Sequence, residues 1–197
     1  MNGSYVTLLT ILLAAGSFAL SLYTLWLTQL QRGCVQMTRP TLIFIAREID
    51  DGRYKIFLRT HLFSTAVRGR VIENMYVRLT NRVGSHVFDL WGYGETDKLS
   101  LGSGLFVGQN GVTYNHHFVL RRDDADFLFW DGDYKLEIFA NIVGNSHAVK
   151  LMEIDLVVDG QIAAEMVQIQ QLGAFFEWDA ERAIYTVRVE RRDRPST

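Results

Sequence analysis

Residues 1–31 of the chain contain no Asp, Glu, Lys, Arg or His. Within them, the run over residues 5–30 consists mostly of Leu, Ala, Ile, Phe, Tyr and Trp. As an α-helix this run would extend roughly 39 Å, which exceeds the roughly 30 Å hydrocarbon core of a bilayer. The composition therefore predicts a single transmembrane helix, with residues 1–31 as an anchor and the lipid bilayer as its first partner.

The residues that flank this run predict that the helix is not cleaved off as a signal peptide, and they predict which side of the membrane each end faces. A cleaved secretory signal begins with basic residues and has a short apolar core, whereas residues 1–4 carry no basic side chain. Arg32, Arg39 and Arg47 follow the run before the first acid, Glu48. By the positive-inside rule we expect the N-terminus outside and the large domain in the cytoplasm. The layout, a span followed by a Thr-Arg-Pro strand start, resembles bacterial sequences, which implies the bacterial inner membrane.

Small and hydroxyl-bearing residues recur along the apolar run at alternating spacings of three and four. They are Thr7, Thr10, Ala14, Ser17, Ser21, Thr24 and Thr28. Residues at this spacing share one helix face, and small side chains let transmembrane helices approach closely. We therefore predict a packing seam, formed with a second copy of the chain or with another membrane protein. The alternative is that each hydroxyl bonds back to a carbonyl of its own helix.

The pattern changes after Pro40 to short runs of alternating apolar and polar residues, typical of antiparallel strands. The pairs Asn110-Gly111 and Asp131-Gly132 predict tight hairpin turns. Helical spacing over residues 161–172 predicts one short helix. We therefore expect an all-β fold, an antiparallel β-sandwich of the Ig-like or Greek-key kind, with one short C-terminal helix.

The predicted organisation has four parts. They are a transmembrane anchor over 1–31, a juxtamembrane linker over 32–39, a β-sandwich domain over 40–190 and a charged tail over 191–197. Residues 126–130 are predicted as one of the strands, and residues 104–108 are predicted to pair with 112–120.

Composition excludes some classes of function. The 20 basic and 22 acidic residues give a formal net charge of −2, so the basic bias of a nucleic-acid-binding protein is missing. The single cysteine, Cys34, excludes an intrachain disulfide. Neither a phosphate-binding GxxxxGK loop nor a strand–GxGxxG–helix unit occurs, and we predict no cofactor.

One local motif suggests hydrolytic chemistry. The stretch Gly-Ser-Gly-Leu-Phe-Val over residues 102–107, with Asn115-His116-His117 downstream, resembles the first strands of trypsin-like serine proteases of the HtrA type. That resemblance implies His117 as the catalytic base. The chain departs from the family because the nucleophile loop with paired glycines is missing, and Ser146 follows His117 by only 29 positions. A hydrolase using His117 with Ser103 or Ser146 remains an alternative.

The histidines and aspartates allow two metal hypotheses. Adjacent strand residues point to opposite faces, so only one of His116 and His117 can enter a given site, and we expect hydrogen-bonded structural histidines rather than zinc ligands. Ser103, His116 and His117 together form the candidate polar site. Five aspartates crowd two predicted turns where calcium could bind, but these turns fall at opposite ends of one strand; they are Asp123, Asp124, Asp126, Asp131 and Asp133. We predict no metal site.

The transmembrane run is the feature of the chain most informative about function. We expect a membrane-anchored, non-enzymatic binding or scaffolding module that assembles through its helix. A second hypothesis is an accessory subunit whose seam packs against another subunit of a larger membrane complex. The two differ in whether the purified chain associates with itself.

Overall fold

The computed structural model describes residues 2–30, 33–48, 52–95, 98–102, 104–121 and 127–192. An N-terminal apolar helix precedes a domain made mostly of antiparallel strands. The helices are α1, Asn2–Leu25, continued by a π-helical turn, Trp26–Leu30, and α2, Gly160–Gln168. The strands are β1 Val35–Met37, β2 Leu42–Arg47, β3 Tyr54–Ser64, β4 Arg70–Thr80, β5 Ser85–Tyr93, β6 Ser100–Leu101, β7 Leu105–Val107, β8 Val112–Leu120, β9 Gly132–Ile142, β10 Val149–Val158, β11 Leu172–Asp179 and β12 Ile184–Arg191.

The strands of the described residues form one continuous sheet in the order β10-β9-β4-β5-β8-β3-β2-β11-β12. Three short strands join it from the side: β1 pairs with β3, β6 with β5 and β7 with β4. The end strands β10 and β12 contact each other without being hydrogen-bonded neighbours, so the sheet curls into a nearly closed barrel. The predicted two-sheet sandwich is replaced by this single sheet, because alternation shows that each strand has a buried face but not how many sheets share it.

The barrel interior holds the hydrophobic core. Inward-facing positions alternate along the long strands, as in β3, where every second residue from Tyr54 to Ser64 is buried. The largest fully buried side chains are Phe88, Phe118, Phe127, Phe129, Phe176, Ile43, Ile45, Ile56, Leu58, Leu62, Ile72 and Met75. Half-buried Leu151 and Met152 of β10 and Val187 and Val189 of β12 pack on this core. The two end strands therefore both contribute apolar side chains to the same core.

Two predicted strand pairings differ from the structure. Residues 104–108 and 112–120 do not form a hairpin, because β7 pairs with β4 whereas β8 lies between β3 and β5. The described residues 127–130 are not a strand, although Phe127 and Phe129 are buried. Their rings pack on Tyr54 with centroids 4.8 and 6.5 Å away. The alternation there reflects burial against the core without backbone pairing.

The segment boundaries also shift. Residues 32–39, predicted as a linker, contain β1, whose three residues pair with the end of β3. The helix α2 begins after its N-cap Asp159, whose side chain accepts a hydrogen bond from the backbone N–H of Ile162, and ends at Gln168 rather than 172. Within the predicted tail, Arg191 ends β12 and Arg192 donates to the carbonyl of Arg47. Residues 193–197 lie outside the described residues.

Candidate functional site

The first candidate site is the exposed surface of α1. Among the described residues, Gly3–Thr28 is the helical segment long and apolar enough to cross a membrane. Its length is about 39 Å at the usual rise per residue. Residues 3–27 are exposed, so the sheet domain covers none of these side chains. An apolar surface of this size is stabilised by lipid or by another helix rather than by water.

The predicted seam residues carry hydrogen bonds within the helix itself. Each hydroxyl donates to the carbonyl four positions earlier, with distances of 2.8 to 3.0 Å; the donors are Thr7, Thr10, Ser17, Ser21, Thr24 and Thr28. This is the geometry of the alternative hypothesis, in which hydroxyls satisfy themselves locally. The hydroxyls therefore already have hydrogen-bond partners without a second helix. Packing of another helix along this face would depend on the small volume of these side chains, which lets two helices approach closely.

The face does form an open groove at its C-terminal half. The groove has a volume of about 440 Å³, and it is lined by Leu20, Ser21, Thr24, Leu25 and Thr28. Three of these residues, Ser21, Thr24 and Thr28, belong to the predicted seam. Such a groove admits the side chains of a second helix in knobs-into-holes fashion.

The chain that leaves the helix is fastened to the sheet domain within a few residues. The backbone N–H of Cys34 donates to Oγ1 of Thr65 over 2.9 Å, and the N–H of Thr65 donates to the carbonyl of Cys34 over 2.9 Å. Gly33, at a φ of 55°, packs so closely that an added Cβ would lie 2.5 Å from Cβ of Ala66. No sequence signal predicted this contact, because its two sides are about thirty positions apart in the chain.

His116 lies inside the barrel and is fully buried. Its ring stacks against Trp91, whose Nε1–H donates to Nδ1 of His116 over 3.1 Å. This bond places the ring proton on Nε2, which is buried and has no hydrogen-bond partner among the described residues. Burial, and secondarily the neighbouring His117, lowers the pKa of His116 to about 4. The ring is therefore neutral at physiological pH and acts as a core acceptor.

His117 lies on the outer face of the same strand, between Phe57 of β3 and Gly92 of β5. It lines a surface cavity of about 190 Å³ whose other walls are Leu42, Phe44, Lys55, Phe57 and Phe175. Partial burial lowers the pKa of His117, the charge of Lys55 lowers it further, and Glu48 opposes them. Its Nε2 has no hydrogen-bond partner among the described residues, so no described hydroxyl is bonded there.

The serines proposed for hydrolysis are not brought to His117 by any contact in the described part of the chain. Ser103 lies outside the described residues. Ser146 is exposed in the β9–β10 turn, and β4 and β5 separate β9 from the strand of His117. Gly102 has a packing role, because an added Cβ would lie 2.1 Å from Cε3 of Trp91. Packing thus accounts for Gly102, the first residue of the motif that resembles a protease.

The described residues hold no group of three or more potential metal-ligating side chains. Of the aspartates considered for calcium, Asp123, Asp124 and Asp126 lie outside the described residues. Asp131 pairs with Arg82, whose Nη2 is 2.8 Å from its Oδ1. The interaction turns the side chain of Asp131 toward a cation of the protein itself.

Among protein-family models, curated proteins and solved structures, only solved structures show similarity to the chain. No protein-family model matches the chain. No curated protein matches it. Among solved structures, the chain is similar to the CooA pilin subunit from enterotoxigenic Escherichia coli, with 10% sequence identity and a TM-score of 0.31. The alignment covers 64% of this chain and 98% of that chain. A TM-score of this size does not establish a common fold.

Proposed function

We propose that the chain is a single-pass, membrane-anchored β-domain protein with a non-enzymatic binding or scaffolding role, and that it assembles through α1. The observation that carries this proposal is the exposed apolar helix Gly3–Thr28, with its groove of small side chains. The contact of Cys34 with Thr65 supports it further, because Cys34 follows the end of the helix by only four positions and a domain tethered so closely is held near the membrane.

The assembly test separates packing from hydrogen bonding. In the full chain, Ser17, Ser21 and Thr24 are replaced together, either by Leu or by Ala. Leu fills the groove and should weaken association by about tenfold or more, which corresponds to about 1.4 kcal/mol. Ala leaves the groove open and removes the hydroxyls, which already bond within the helix, together with the γ-methyl group of Thr24. The Ala variant should therefore assemble like the wild type. Oligomer size is measured in detergent and in nanodiscs.

Two outcomes of this test would change the proposal. An unchanged oligomer in the Leu variant would show that α1 does not assemble through this face. A wild-type chain that is monomeric alone, but captures a membrane partner that the Leu variant loses, would favour the accessory-subunit hypothesis.

We also propose that the N-terminus lies outside and the sheet domain in the cytoplasm of a bacterial cell, supported by the arginines that follow the span. With Cys34 replaced by Ser, a cysteine at exposed Val157 should resist a membrane-impermeant maleimide in intact cells. A cysteine at Ser4 should react under the same conditions. Reaction of the Val157 position without permeabilisation would reverse the orientation.

A further inference from the structure

Four exposed apolar side chains lie in or near the turn between β3 and β4, which contacts Gly33 and Cys34. We call this group the junction rim and define it as Val67, Val71, Phe106 and Val143. Their exposed fractions are 59%, 38%, 60% and 57%. Isolated apolar residues are common on protein surfaces, but a contiguous exposed group indicates a contact surface.

Three of the rim residues are linked by strand pairing or by a backbone hydrogen bond. Val71 of β4 lies directly opposite Phe106 of β7, and the N–H of Val143 donates to the carbonyl of Val71 over 2.9 Å. The ring of Phe106 lies against Gly69, where an added Cβ would be 2.6 Å from Cζ. The ring is thus held on the outer surface by backbone packing. Val67 lies two positions before Gly69, in the turn between β3 and β4.

The anchor places this surface near the membrane. The turn that carries Val67 also contains Thr65 and Ala66, which contact Cys34 and Gly33. Leu30 ends the helical segment, and four residue steps to Cys34 extend at most about 14 Å. The headgroup layer is itself roughly 5–8 Å deep on each side of the hydrocarbon core. The rim begins one residue beyond Ala66, so this tether keeps it close to the membrane surface at which α1 ends.

The polar groups at the rim match that environment. Arg68 is exposed between Val67 and Gly69. Arg70 donates to the carbonyl of Val143 and to Oδ1 of Asn145, so its guanidinium lies beside the rim. Apolar side chains interleaved with guanidinium groups are typical of surfaces that contact acyl chains and phosphate headgroups together.

We propose that the junction rim is a lipid-contacting surface that seats this end of the barrel on the bilayer and fixes the domain's orientation. The inference rests on the proposed function, because it requires α1 to span that bilayer. Val67, Val71, Phe106 and Val143 enter the headgroup layer, while Arg68 and Arg70 lie at the level of the phosphates.

The test measures depth at single sites in the full chain. With Cys34 replaced by Ser, cysteines replace Val67, Phe106 or Val143 in turn and carry a nitroxide spin label in phospholipid vesicles. Accessibility to oxygen, which concentrates in lipid, is compared with accessibility to a water-soluble nickel chelate. The matched control is Val83, which is 62% exposed. It lies in the turn at the far end of β4, separated from the rim by the length of that strand, roughly 33 Å. A label at Leu12 reports on α1 itself.

The expected result is an oxygen-to-nickel ratio several-fold higher at the three rim sites than at Val83. If Leu12 reads as lipid-exposed while the rim sites match Val83, the rim proposal is overturned and the anchor stands. If Leu12 also reads as aqueous, the proposed membrane anchoring fails as well. Low access to both reagents at the rim, with dipolar broadening that dilution with unlabelled protein removes, would show contact between copies and overturn the lipid assignment.

Discussion

At the scale of single residues, His116 shows how burial changes the chemistry of a side chain. Its ring lies between Trp91 and Phe118, accepts one hydrogen bond and leaves Nε2 without a partner among the described residues. A charged imidazolium there would lose its hydration without gaining a counter-ion, which is why its pKa falls to about 4. His116 and its neighbour His117 differ because consecutive strand residues face opposite sides of the sheet.

The lowered pKa predicts acid sensitivity. The unfolded chain takes up a proton at His116 as the pH falls below 6.5, whereas the folded chain does so only near pH 4. Stability that is fully present above pH 6.5 is therefore lost as the pH falls toward 4, by on the order of 3 kcal/mol at most. We expect His116→Gln, which keeps an acceptor for Trp91, to flatten this dependence in denaturant unfolding of the full chain.

Between pH 6.5 and 5, the pH dependence of stability from His116 is separated from that of the carboxylates. Glu153, for example, has a pKa of about 2 in the folded chain, so it changes the stability only at lower pH. His117→Gln is the matched control. It should remove a smaller part of the change of unfolding free energy with pH, because His117 is less buried than His116. A slope that His116→Gln leaves unchanged would contradict the assignment.

At the scale of elements, the junction of α1 with the β3–β4 turn depends on one glycine. Gly33 has a φ of 55° and lies against the backbone of Ala66, with an added Cβ 2.7 Å from its N atom. Both the left-handed backbone and the close approach disfavour any side chain. The neighbouring strand β1 can then pair with β3 within a few residues of the apolar helix.

Replacement of Gly33 by Ala should loosen this junction. Gly144→Ala is the matched control, because Gly144 also has a positive φ, 85°, but an added Cβ would meet no atom within 4 Å. In both variants, backbone strain should lower the free energy of unfolding by about 1 kcal/mol. Only in Gly33→Ala should the collision with Ala66 lower it by about 1–3 kcal/mol more. Thermal unfolding measures the difference, and equal losses would show that the contact with Ala66 is unimportant.

At the scale of the whole molecule, the sheet is continuous, and its two end strands, β10 and β12, are in contact without backbone pairing among the described residues. Within the described part of the chain, strand β12 pairs with β11 alone, whereas β3 pairs with β2, β1 and β8. The free edges carry charges, including Lys150, whose Nζ lies 2.5 Å from Oε2 of Glu153. Exposed charges on edge strands oppose uncontrolled pairing with other chains.

This arrangement predicts an order of local opening. Backbone amides of β3 and β8 should exchange with deuterium most slowly, because opening them breaks hydrogen bonds on both sides. Amides of β12 should exchange fastest among the long strands, as the β11–β12 hairpin opens first. Hydrogen exchange followed by mass spectrometry measures this order. Protection of β12 equal to that of β3 would indicate that the barrel seam is hydrogen-bonded in solution.

The sequence by itself determined the features that depend on local pattern. Composition alone located the apolar helix, because spanning length and lack of charge are properties of consecutive residues. Alternation predicted an antiparallel β domain after Pro40 and placed His116 and His117 on opposite faces, and β8 has its predicted bounds, Val112–Leu120. The helical spacing predicted over residues 161–172 overlaps α2, Gly160–Gln168.

Only the tertiary structure decided which strands pair and what surrounds the end of the anchor. The Asn110-Gly111 turn does not make a hairpin, because long-range pairing of β7 with β4 and of β8 with β3 prevails over the local preference. The closure of the sheet, the Cys34–Thr65 contact and the junction rim join residues that are distant in the chain. Such contacts depend on how the whole sheet curls, which no short window of sequence specifies.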